Sequence, residues 1–390
     1  MWTIRLLRKA KIVLLPKVNS LFVTIGIAAA IPVVAFLFAC GCSPSAGGSG
    51  SNVAAVTPIA GTTGPSAPSK PQVPAPVHEP FDGKLAMDIL KKQCDFGVRP
   101  LGSEAHEKTK AYLIAEMKKY ADVTRLQEFK YRGMPVTNVL GVFYPAGSDK
   151  PSAHPILLMT HWDTRPIADG PYSSKTRAGV HFRYGPNGWS PTAPIMGAND
   201  AASGVGVLLE LARIFHEHRP PVGVILFLDD GEDYGDFTAN NSTGEGVELG
   251  ARYFAKHYGD DPIYGQPKYG ILLDMVGAKN AIFLREALSQ RVAPNVNDRV
   301  FAIARDLGYG GTFLAGEGPD IGDDHVSINE AGIPTIDIIH PLPFNEFDAD
   351  NHSYRYWHTL EDTADKCSAT TLKAVGDTIA ETIYREEASK

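Results

Sequence analysis

Residues 80–390 of this 390-residue chain predict one α/β domain, a mostly parallel central sheet flanked by helices. Three observations predict it. Five continuous apolar runs of strand length, at 136–143, 155–160, 223–228, 269–274 and 334–339, lack polar alternation, as strands buried on both faces do. Helical periodicity fills several of the intervals, at 201–217, 250–257, 297–307 and 370–385. Three of the runs also end directly in carboxylate or imidazole side chains, and open α/β sheets bind ligands beyond the carboxyl ends of their strands.

The N-terminal part differs in kind. Residues 1–39 hold five basic side chains and no acid, and 21–39 are apolar apart from Thr24. A basic prefix before an apolar run is an export signal, read here as a signal peptide or an uncleaved signal anchor. Leu37, Phe38, Ala39 and Cys40 resemble a bacterial lipobox with Cys40 as the lipidated residue, although Phe38 is bulky for that role and Cys42 is a second candidate. Residues 40–79 are rich in Gly, Ser, Pro, Ala and Thr, a composition too poor in apolar surface to offset its ordering entropy. They are read as a flexible stalk. The expected location is outside the cytoplasm, periplasmic or at the cell surface, tethered to the membrane by lipid or anchor.

Composition bounds the rest. Hydrophobic residues at 44% and charged residues at 21% exclude a wholly disordered chain. Removing the five N-terminal cations leaves 32 basic against 44 acidic residues, so the folded part is acidic and nucleic acid is not an expected partner. The first helices are expected at 84–93 and 103–120, the second opening at Ser103 with Glu104 in its first turn. Cys94 and Cys367 remain in the folded part, where two free thiols are expected although export permits a disulfide.

The polar clusters carry the chemistry. The run at 155–160 leads into His161, Trp162 and Asp163; that at 223–228 leads into Asp229, Asp230, Gly231, Glu232 and Asp233; that at 269–274 ends on Asp274. Asp200 stands in GANDAASG (197–204), which opens a helix, and further clusters lie at Asp323, Asp324, His325 and at Trp357, His358, Thr359. Taken singly, each has a plain explanation. Asp200 could be a helix N-cap, a lone histidine is commonly a hydrogen-bonded core residue, and acidic runs are commonly solvated turns. Together, so many carboxylates at converging strand ends need a cation, and a mixed imidazole–carboxylate set suits zinc.

In the order HWD, GANDAASG, DDGED, LLDMVG, DDH and WHT, these motifs resemble the zinc aminopeptidase superfamily and, within it, the animal-type glutaminyl cyclases also found in bacteria. The resemblance spans nearly all of 80–390, from Arg99 to Asp362. It implies a zinc aminopeptidase-like (phosphorylase/hydrolase-like) fold. It implies Asp200, Asp233 and His358 as zinc ligands, Glu232 as catalytic acid–base, and Asp274 and Asp323 as acids hydrogen-bonded to Glu232 and to one another. Trp357 matches a substrate-pocket tryptophan. His161 matches a position that binds a second zinc in the aminopeptidases, together with Asp274, and Asp163 would orient its imidazole. This chain has Asp233 where mammalian-type members have Glu, a shorter arm to the metal.

Two activities fit such a scaffold. A cyclase would bind one zinc and convert the N-terminal glutamine of a peptide or protein to pyroglutamate with release of ammonia. An aminopeptidase would bind two and hydrolyse the first peptide bond with an activated water. The Trp357–Thr359 triplet and the paired acids at Asp323 and Asp324 favour the cyclase.

Overall fold

The computed structural model describes residues 80–170, 194–235, 246–342 and 353–387. The export signal, Cys40 and the stalk at 40–79 lie outside the described residues. Among the described residues, no helix is long and apolar enough to cross a membrane.

One six-stranded sheet organises residues 80–387. Its strands are β1 (Val123–Tyr131), β2 (Met134–Phe143), β3 (Ile156–His161), β4 (Val224–Asp229), β5 (Tyr269–Asp274) and β8 (Thr335–Ile339), in the order β1-β2-β4-β3-β5-β8. The pairs β3/β4, β3/β5 and β5/β8 are parallel, whereas β1/β2 and β2/β4 are antiparallel. The expected mostly parallel sheet is therefore present, with an antiparallel edge added to it. A two-stranded parallel ribbon, β6 (Phe283–Arg285) and β7 (Phe313–Glu317), forms a separate small sheet beside β8.

Alternation along the strands explains how both faces are buried. Ile156 and Leu158 of β3, Leu226 and Leu228 of β4, and Ile271 and Leu273 of β5 join one apolar cluster. That cluster is filled from α1 (Gly83–Phe96), α3 (Ala202–Glu217), α6 (Pro294–Asp306) and α8 (Ala369–Tyr384). Leu157 and Met159, Ile225 and Phe227, and Leu272 join a second, covered by α4 (Leu249–His257) and α7 (Asp324–Glu330). The helix at 103–120 appears as α2 (Glu104–Tyr120), with Ser103 as N-cap accepting from the His106 amide at 3.1 Å. A short α5 (Ala287–Val292) completes the set. Cys94 and Cys367 are free thiols.

Three features place the site. β3, β4 and β5 run parallel and end level, with His161 opposite Asp229 in the register. The α3 helix packs hard against them at its start, because a Cβ on Gly204 would lie 2.1 Å from Thr160 Oγ1 and 2.5 Å from the Leu273 carbonyl. Only glycine permits that approach, and it brings the loop carrying Asp200 over the strand ends.

Candidate active site

A cavity of about 260 Å³ opens at the carboxyl ends of these strands. Asp200, Glu232, Asp233, Asp274, Asp323, Trp357 and His358 all line it, so residues 158 positions apart in sequence share one chamber. Asp320, the remaining acid on its wall, is paired with Arg291 at 2.8 Å.

Asp200 is not an N-cap. The N-cap position of α3 is Ala201, with no side-chain hydrogen bond, and the Asp200 carboxylate turns to the two imidazoles instead. Its Oδ1 lies 3.0 Å from His161 Nε2 and its Oδ2 lies 3.6 Å from His358 Nε2. Asp233 Oδ1 is 2.9 Å from His358 Nε2, and Asp274 Oδ1 is 3.3 Å from His161 Nε2. One atom each of His161, Asp200 and Asp233 falls within 4.8 Å of the others.

These residues fit a metal ion. Asp233 Oδ2 is buried with no hydrogen-bond partner, and Oδ1 of Asp233 and of Asp274 are approached only by imidazole nitrogens, at 2.9 and 3.3 Å, a costly state for carboxylates in a protein interior. A tetrahedral ion with ligands at about 2.0–2.1 Å holds its ligand atoms roughly 3.3 Å apart, in the range of the separations just given. Asp200, with one oxygen toward each imidazole, stands between two ligand groups: Asp233 with His358, and Asp274 with His161.

What holds the candidate ligands in place is a layer of buried polar residues behind them. Asp163 faces His161 Nδ1 at 3.4 Å, as expected. It also accepts from the backbone amides of Glu232 (3.1 Å) and Asp233 (3.3 Å), which fixes the acidic turn after β4. Asp169 reaches His358 Nδ1 at 3.2 Å and receives Arg165 at 3.1 and 2.6 Å. Arg165 donates in turn to the carbonyl of Asp233 at 2.8 Å, so Asp233, Arg165, Asp169 and His358 form a closed chain. Asp362 accepts from the amides of Asn199 and Asp200 at 2.9 and 3.1 Å and from the Tyr354 hydroxyl. A Cβ on Gly170 would meet the Trp357 carbonyl at 2.1 Å, which lets the Asp169 loop close on the Trp357–His358 turn.

Sequence reasoning missed Asp169, Arg165 and Asp362 as parts of the site. Arg165 follows His161 closely and Asp362 ends the last matched segment, but neither carries a ligand-type pattern. Asp169 stands in no motif at all.

The field follows from burial and crowding. Burial, then the charge of Asp233, pushes the Glu232 carboxyl well above the usual carboxylate range. Burial, then Asp274, does the same to Asp323. Asp200 is raised to about 7 by burial and then by Asp233. Burial works against Asp233 too, but the positive field of His358 outweighs it and holds this carboxyl low. The cavity therefore contains a low acid suited to a ligand beside a raised acid suited to carrying protons.

Asp274 and Asp323 lie on the cavity wall with Glu232, but among the described residues neither is hydrogen-bonded to Glu232 or to the other. Asp323 gives one oxygen to the Asp324 amide at 2.6 Å as N-cap of α7, and Asp274 leans toward His161. Trp357 stacks on the ring of His358 with centroids 3.8 Å apart and forms an aromatic wall.

Residues 138–383 match peptidase family M28. Glutaminyl cyclase of Bacteroides thetaiotaomicron, solved with N-acetylhistamine, is 35% identical over 80% of this chain and 100% of that one, with a TM-score of 0.66. A Zn-dependent exopeptidase from Parabacteroides distasonis is 34% identical over 80% and 100%, with a TM-score of 0.67. Tannerella forsythia glutaminyl cyclase is 32% identical over 79% and 100%, with a TM-score of 0.68.

Proposed function

The chain belongs to peptidase family M28, and on that premise we propose that it is a glutaminyl-peptide cyclotransferase, closing the N-terminal glutamine of peptides or proteins to pyroglutamate. The observation that carries this reading is Asp323. It brings a buried, raised carboxyl into the cavity beside Glu232 and Asp274, a further protonatable acid for which a water-activating pair of metals has no need.

Asp200, Asp233 and His358 would hold zinc, which supplies a Lewis acid for the substrate carboxamide when bound. The chain's own residues handle the protons. The α-amine nitrogen bonds to the γ-carbonyl carbon as that carbon's bond to the amide nitrogen breaks, yielding the lactam and ammonia. Glu232 accepts the proton that the amine loses and returns it to the departing nitrogen, a shuttle suited to a carboxyl held above its ordinary range. Asp323 and Asp274 surround that proton with acids and keep it in the cluster. Trp357 offers an apolar face to the glutamine methylenes.

Glu232→Gln tests this. The variant should fold, keep its zinc and bind a glutaminyl peptide, yet release ammonia at least about a hundredfold more slowly. Full turnover would transfer the base role to Asp323 or Asp274, and loss of zinc would make Glu232 a ligand.

A second reading, a two-zinc aminopeptidase, draws on one observation: the oxygens of Asp200 address both imidazoles, with Asp274 beside His161. In either case the partners are peptide or protein N-termini. The basic, apolar and cysteine-bearing N-terminus supports export with a membrane tether.

A further inference from the structure

Asp230 stands two residues before Glu232, fully buried and outside the cavity lining. Its carboxylate has two partners. Oδ1 accepts from Nε2 of His106, the third residue of α2, at 2.8 Å, and Oδ2 accepts from the Thr137 amide at 2.7 Å. The Asp230 amide in turn donates to Asn138 Oδ1 at 3.2 Å. A carboxylate has no proton to give, so the buried imidazole carries its own on Nε2. These contacts bind the end of β4 to α2 and to β2.

The same imidazole stacks on Trp162, with ring centroids 4.2 Å apart. Trp162 follows His161, and its Nε1 donates to the Thr137 carbonyl at 3.3 Å. Holding helix to sheet is the ordinary work of such a buried pair. What sets this one apart is where it ends. Only Gly231, with a φ of +79°, separates Asp230 from Glu232, so the direction in which Asp230 leaves the strand sets where the next acid stands. Asp233 has supports of its own, Asp163 at its amide and Arg165 at its carbonyl. Glu232 has Asp163 at its amide and the Glu248 amide 3.0 Å from its carbonyl, but its approach from β4 runs through Asp230.

We propose that His106 is a positioning residue for Glu232: its Nε2–H fixes the Asp230 carboxylate and, through it, the turn that presents Glu232 to the reacting nitrogen. The proposal rests on Glu232 as the acid–base, the role the cyclase reading gives it. A misplacement of about 1 Å costs on the order of a hundredfold in rate. Loss of the Nε2 donor should therefore appear in kcat, while zinc and KM, which depend on residues with other supports, stay as they are.

The test uses the full chain loaded with zinc and ammonia release from a glutaminyl peptide, and it separates the donor from the ring. His106→Gln places an amide N–H where Nε2 was and gives up the stack on Trp162; its kcat should stay within about threefold of the parent. His106→Phe keeps the ring and loses the donor; its kcat should fall about 10- to 100-fold, with KM within about twofold and zinc content unchanged. His106→Asn, whose shorter amide falls short of Asp230 and leaves room for water, replaces the phenylalanine variant if that one does not fold, as melting temperature would show. Parent-like kcat in the variant without the donor would make His106 a packing residue and overturn the proposal. So would a glutamine variant as slow as the phenylalanine one, or a loss confined to KM or zinc. If the parent frees the first residue of the peptide and no ammonia, the cyclase reading falls, and the same variants decide the proposal on that hydrolysis. A parent that does neither removes the acid–base role of Glu232 and the proposal with it.

Discussion

Asp163 is the place to perturb the site without touching a metal ligand. One carboxylate serves three groups: the amides of Glu232 and Asp233 at 3.1 and 3.3 Å, and His161 Nδ1 at 3.4 Å. Asp163→Asn keeps the shape but has a single acceptor oxygen, and its NH₂ must face one of the two buried amides. A charge-assisted bond worth about 1.5–3 kcal/mol is lost, and a buried donor is left unpaired at about 1–3 kcal/mol, about 2.5–6 kcal/mol together. At about 2.1 cal/mol/K per residue over roughly 310 residues, that lowers the melting temperature by about 4–9 °C. Because the loosened turn carries Asp233, zinc affinity should also fall about 10- to 100-fold, the usual consequence of removing a ligand's support. Thermal denaturation with and without metal, and competition against a chromophoric chelator, measure the two effects. A variant that melts within about 2 °C of the parent and holds zinc equally well would show that Asp163 does not position the turn.

His161→Ala should retain one zinc per chain and most of its turnover on glutaminyl peptides; loss of half of two bound zincs together with all activity would establish the aminopeptidase. At the far end of β6, burial works to raise Glu286, but His325 and the amides of Ser289 and Leu288 bring its carboxyl down to about 2 from 4.5. Its stabilising effect is thus complete above about pH 4.5 and lost as the pH falls toward 2, so Glu286→Gln should flatten acid denaturation in that window; an unchanged profile would count against it. Labelling with a lipid precursor should mark the parent and not Cys40→Ala; equal labelling of both would exclude Cys40 as the lipidated residue.

The buried strands were legible because each is a continuous apolar run, and that signal survives any surroundings. The antiparallel edge was not. β1 reads VTRLQEFKY, with Arg125, Gln127 and Lys130 among its apolar residues, because one side of an edge strand faces water. Its pattern is one of alternation rather than continuity, so a search for parallel-type runs passes over it. The ribbon β6/β7 and the helices α5 and α7 are too short to establish a period. In the site, the residues that project from strand ends and helix starts could be placed from the sequence. Asp169 and Asp362 could not. They act by where their oxygens point, one at His358 Nδ1 and the other at the amides of Asn199 and Asp200, and nothing in local sequence encodes a contact made across 189 or 162 positions.

That division has a physical reason. The residues that address the metal or the substrate must be acids or imidazoles wherever they stand, so their types are visible. The residues that hold them need only present an acceptor to a buried donor, which Asp163 does for two amides and one imidazole, and Asp362 for two amides and a phenol. Crowding supplies the rest of the chemistry. Packed around one cavity, chemically similar carboxyls separate into Asp233, held low by His358, and Glu232, pushed high by burial and by Asp233 itself. On the cyclase reading, Asp233 would thus help to make Glu232 the proton carrier, because its negative charge one residue away adds to burial in raising the Glu232 carboxyl.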